Sequence, residues 1–93
     1  MSEYKTEINL LPETKDITVL MQQKEVTLDS GLTIKTFFVR EGSGAPFLVQ
    51  VVGEDAHLER DQSYTVMLRE RKQTRVSDGR VFTEIQIAGA QKH

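Results

Sequence analysis

Residues 63–89 read SYTVMLRERKQTRVSDGRVFTEIQIAG. Tyr64, Val66 and Leu68 alternate with Thr65, Met67, Arg69 and Arg71, the period of a strand that lays one face on a core. An Asp-Gly turn follows in VSDG (76–79). RVFTEIQIAG (80–89) then resumes the alternation, with Val81, Ile85 and Ile87 on one face. The stretch predicts a β-hairpin with strands at 63–72 and 80–89. It also concentrates charge. Between 69 and 80, Arg69, Arg71, Lys72, Arg75 and Arg80 are opposed only by Glu70 and Asp78, although the whole chain carries a net charge of −2. Screening confines charge effects to about 8–10 Å at physiological salt. The potential near this segment can therefore be positive although the total is not.

Working upstream, ITVLMQQKEVTL (17–28), the turn signal DSG (29–31) and LTIKTFFVR (32–40) read as a second hairpin of two long strands. EGSGAP (41–46) breaks the chain. FLVQVVG (47–53) is a third strand, expected to be buried on much of both faces. EDAHLERDQ (54–62) is the longest polar link, with a turn of helix expected around Leu58. The total is five strands and no long helix. Such a sheet leaves two exposed edges unless it closes. The expected architecture is thus all-β, a small five-stranded OB-type Greek-key barrel over residues 16–89; an SH3-like barrel is the other closure considered. Residues 1–15 have weak periodicity and read as a flexible N-terminal arm, and 90–93 as a frayed tail.

Ninety-three residues make one domain, and 38% hydrophobic with 28% charged residues suits a soluble globular chain. No window reaches the length of a membrane helix, and the N-terminus lacks the basic-then-apolar pattern of a secretory signal. The absence of cysteine excludes disulfides and thiolate metal sites; it fits a reducing cytoplasm, the expected location, without requiring one. No enzyme is expected. EGSGAP has glycines but no following Lys-Ser/Thr, so it is not a phosphate-binding P-loop. His57 and the acids of EDAHLERD (54–61) read as a solvated acidic loop rather than a metal site. No serine has a base and an orienting acid nearby in sequence. Neither a catalytic residue nor a cofactor is expected.

The basic hairpin reads as a binding surface. Arg69, Arg71 and Arg75 share a strand parity, and positions two apart stand about 6.8 Å apart, near the phosphate spacing of an extended single strand. The guanidinium fork binds phosphate bidentately, and its plane stacks on bases. Lys72, Arg80 and Lys35 add charge. By parity, Phe38 is expected in the core with Leu32 and Ile34, leaving Phe37 outward beside Lys35 as a base platform; Phe37 packed under the arm or in a dimer interface is the bland alternative. Phe82 is expected outward opposite Ile85 and Ile87, as a second stacking ring. Set against this, a solvated edge hairpin also carries arginine and lysine to deter aggregation.

The same residues carry a resemblance. Tyr64, Val66, Arg69, Arg71, Asp78, Gly79, Phe82, Thr83, Glu84 and Ile85 resemble the closing hairpin of single-stranded DNA-binding OB proteins. VTLDSGLTIKTFFVREGSGAPFLVQVV is similar to the first three strands of the small filamentous-phage single-strand binding proteins. The chain departs from the bacterial proteins in lacking tryptophan and an acidic ending. The resemblance implies sequence-tolerant binding of single-stranded DNA or RNA, formation of a homodimer or higher oligomer, and no cofactor. The alternative function is a non-catalytic β-barrel assembly module, phage- or plasmid-encoded, whose basic hairpin docks an acidic protein partner.

Overall fold

The alternation that opens the basic segment becomes one wall of a core. In a computed structural model, which describes residues 3–53 and 58–93, Tyr64, Val66 and Leu68 are all buried. They lie on β4 (Ser63–Arg75), which follows β1 (Tyr4–Thr27), β2 (Thr33–Arg40) and β3 (Phe47–Val52) and precedes β5 (Val81–Lys92). The lateral order is β1-β2-β3-β5-β4, and β4 returns to pair with β1, so the five-stranded sheet closes in a ring. Every pairing is antiparallel except β3 with β5. No helix among the described residues is long and apolar enough to cross a membrane.

Closure is possible because β1 is long enough to serve two neighbours. Its first part pairs with β4, from Tyr4↔Arg75 to Thr18↔Ser63, and its second with β2, from Thr18↔Arg40 to Thr27↔Thr33. A rung of paired residues runs from Leu10 through Arg69, Gln86, Gln50 and Thr36, and returns to β1 at Lys24. This climb along the strand is the stagger that a closed sheet of tilted strands requires. The β1–β2 turn closes with Leu28 N–H donating to Leu32 C=O at 2.8 Å and Gly31 at φ 88°, a backbone state open to glycine.

Inside the ring, Ile17, Val19, Phe37, Val39, Val49, Val51, Tyr64, Val66 and Leu68 form the core. Leu58 closes it from the link before β4, and Ile85 and Ile87 pack against it. The Tyr64 hydroxyl is satisfied by the Glu59 N–H at 2.9 Å. β-branched residues dominate because their stiff side chains suit a pleated wall.

Several expectations are corrected. The segment expected as a flexible arm is strand: Tyr4–Leu10 pairs with Arg75–Arg69. Its pattern is weak because neither face enters the core, so no apolar alternation is demanded. Pro12 lies where the β1–β4 register slips between Leu10 and Thr14; a bulge accommodates a residue with no N–H. The tail is strand to Lys92, for the same reason and with the same absence of pattern. β4 continues to Arg75, beyond the expected end at 72. Residues 58–62 form a turn without helix, and His57 lies outside the described residues.

Candidate nucleic-acid interface

Beyond the ring, β4 and β5 project as a hairpin, and the start of β1 lies along β4 as a third strand. At this height no core lies beneath, and Val81 is exposed although it shares parity with Ile85. The outward face carries Tyr4, Thr6, Ile8 and Leu10 from β1, opposite Arg75, Gln73, Arg71 and Arg69 from β4. Across β5 the partners are Phe82, Glu84 and Gln86, opposite Gln73, Arg71 and Arg69. Paired residues of an antiparallel ladder share a face. Arg69, Arg71 and Arg75 therefore form one row, as their parity predicts.

Each arginine of the row is held differently. Arg69 Nε donates to Gln86 Oε1 at 2.9 Å, and among the described residues Arg69 has no anionic partner. Arg71 Nη1 donates to Glu84 Oε1 at 2.9 Å. Arg75 Nη1 donates to Asp78 Oδ2 at 3.2 Å. It also lies over two rings, 5.3 Å from the centre of Phe82 and 5.9 Å from that of Tyr4. The rings meet edge to face at 6.5 Å. A hydrogen bond with the Tyr4 side chain, and after it the Asp78 carboxylate, raise the Arg75 pKa above its ordinary value. The ion pairs do not close the surface. Both sides of Arg71–Glu84 are about one-third exposed (34% and 32%), and pairs of that kind contribute roughly 0–1 kcal/mol. A phosphate can replace such a carboxylate at little cost.

Gln50 and Gln86 extend the row toward β3. Gln86 Nε2 donates to Gln50 Oε1 at 3.1 Å, and Gln50 Nε2 donates to Glu84. Gln86 is buried, yet its amide is satisfied on both sides. The chain Arg69–Gln86–Gln50–Glu84–Arg71 orients two guanidinium groups with one connected set of hydrogen bonds.

The remaining expected site residues are dispersed. Lys72 has the opposite parity, pairs with Glu7 and Thr83, and lies on the other face of the three-stranded sheet. Arg80 is in the turn, 3.8 Å from Asp78, with its side chain mostly exposed. Phe82 stands outward as expected, 41% exposed. Phe37 does not. It is 2% exposed and belongs to the core, so it cannot present a ring to a base. Parity alone points the other way, because Ile34 and Phe38 also look like a core face. What decides it is pairing: Phe37 stands opposite Val49, whose inward position is fixed with Val51. Lys35 shares the Phe37 parity and is drawn to the end of the ring, its side chain 17% exposed and 3.8 Å from Glu25. It is not part of the arginine row.

Tyr4, Gln50 and Gln86 were missed in the sequence. Tyr4 stands in a segment without pattern. The glutamines had a readable signal: each interrupts an apolar β run (FLVQVV, EIQIAG) at an outward position. Among the described residues no group of histidine and carboxylate side chains is placed to hold a metal ion. No family model, no curated protein and no solved structure matches this chain.

Proposed function

We propose that the protein binds single-stranded nucleic acid, DNA in the first instance, across the outer face of β4, β5 and the start of β1, on a barrel of the OB type. The observation that carries this reading is the row Arg69–Arg71–Arg75 beside the Phe82 and Tyr4 rings on one exposed sheet face. The row offers phosphate ligands at strand spacing, and Phe82 offers a surface for a base. The OB reading draws support from the strand order, from the parallel β3–β5 contact and from β1 serving two neighbours. Binding is sequence-tolerant and salt-sensitive, because neutralising phosphates releases counterions. Fluorescence anisotropy of labelled poly-dT and duplex oligonucleotides at two salt concentrations tests it. Preference for the single strand that weakens with salt is the expected result; no binding at low salt overturns the proposal.

A second reading has its own observation. Ile8, Leu10 and Met67 are exposed around Arg69 and Arg71 on the same face. A mixed basic and apolar surface suits an acidic protein partner, and a protein that ignores oligonucleotides at low salt is assigned to it.

A further inference from the structure

The β1 segment that flanks the arginine row is itself an edge. From Lys5 to Leu10 it pairs with β4 on one side, while β2 joins β1 only from Thr18 onward. No strand among the described residues lies along its other side. The direction of its backbone groups follows from one bond. Val76 N–H donates to Glu3 C=O at 2.9 Å, so Glu3 turns its polar groups to β4. Alternation then turns Lys5, Glu7 and Asn9 to β4, and turns the N–H and C=O groups of Thr6, Ile8 and Leu10 outward. Ile8 and Leu10 are about 60% exposed (58% and 60%). An open strand edge with exposed aliphatic residues is a template for another strand.

We propose that this edge pairs with the same edge of a second copy, antiparallel, with the two-fold axis at Thr6. The side chains choose the register. Outward-facing residues must meet outward-facing residues, and the axes that also keep most of the Tyr4–Leu10 edge paired fall on Thr6, on Ile8 or, between them, on the non-bonded position Glu7. An axis at Glu7 sets Glu7 against its own copy, and like charges directly opposite are destabilising. An axis at Ile8 sets Lys5 against Leu11. The axis at Thr6 sets Lys5 opposite Glu7 twice, in the non-hydrogen-bonded pairs where side chains are closest. Neither Lys5 nor Glu7 has an ionic partner within the protomer among the described residues, and both are exposed. The axis is perpendicular to the sheet, so both copies of Arg69, Arg71 and Arg75 stand on one continuous face. A ladder this short is at the small end of protein interfaces, so the dimer dissociates on dilution.

Sedimentation velocity across a dilution series tests this, with melting curves as the control for folding. The expected result is a concentration-dependent dimer. Thr6→Pro removes an outward N–H and leaves the β4 ladder intact, so it yields a folded monomer. Glu7→Lys weakens the dimer by about tenfold or more, since two attractions become two repulsions, and adding Lys5→Glu restores it. A chain that is monomeric at its highest soluble concentration overturns the proposal, as does a dimer unaffected by both Glu7→Lys and Thr6→Pro.

Discussion

The Arg75 guanidinium stands 5.3 Å from the centre of the Phe82 ring, on the exposed side of the β4–β5 hairpin. Cation and ring already satisfy each other there, and a base that stacks on Phe82 extends the arrangement. Phe82→Ala should leave the fold intact, because the ring is outside the core. It should weaken binding of single-stranded DNA by about 1–3 kcal/mol, the usual loss of one base–aromatic stack. Anisotropy titrations beside a thermal melt measure both. Unchanged affinity removes Phe82 from the interface.

Phe37 behaves in the opposite way. Phe37→Ala empties a position in the middle of the ring core and should cost about 3–5 kcal/mol of folding stability. Denaturant titration reads this directly. A stable variant with reduced DNA affinity would return Phe37 to the surface and refute its core position.

Glu84 restrains Arg71 through the 2.9 Å ion pair. Glu84→Gln keeps the shape and removes the competing charge. Affinity for the single strand at low salt should then rise by up to about 1 kcal/mol, because a phosphate no longer has to displace a carboxylate from Arg71. Unaltered affinity means that Arg71 does not meet a phosphate.

Arg69 and Lys72 separate the two faces of the projecting sheet. Arg69→Ala should flatten the salt slope by about 0.7, whereas Lys72→Ala, on the reverse face, should leave it unchanged. Equal effects would show that the ligand does not follow one face.

These contrasts mark how far the residues could be read in one dimension. Tyr64, Val66 and Leu68 were legible as core because their alternation with Thr65 and Met67 runs on into Arg69 and Arg71 on the opposite face, so a single face is buried. The parity of Arg69, Arg71 and Arg75 followed from the same regular strand. Phe37 and Phe38 were not separable, since β2 is apolar on both sides and local pattern is silent about which side faces inward. The early part of β1 was invisible for a different reason: it buries neither face, so its strand state is set by pairing with β4 alone.

By itself the sequence determined five apolar strands in their chain order, two tight turns and a basic row on one parity. Each of these depends on residues close together along the chain, where backbone period and turn chemistry act. The tertiary structure decided ring closure, the inward position of Phe37, the withdrawal of Lys35, and the meeting of Tyr4, Arg75 and Phe82. Those depend on register between strands distant in the chain. Register is fixed by the packing of Val19, Val39, Val49 and Val66 into one shared interior, and no single segment encodes it.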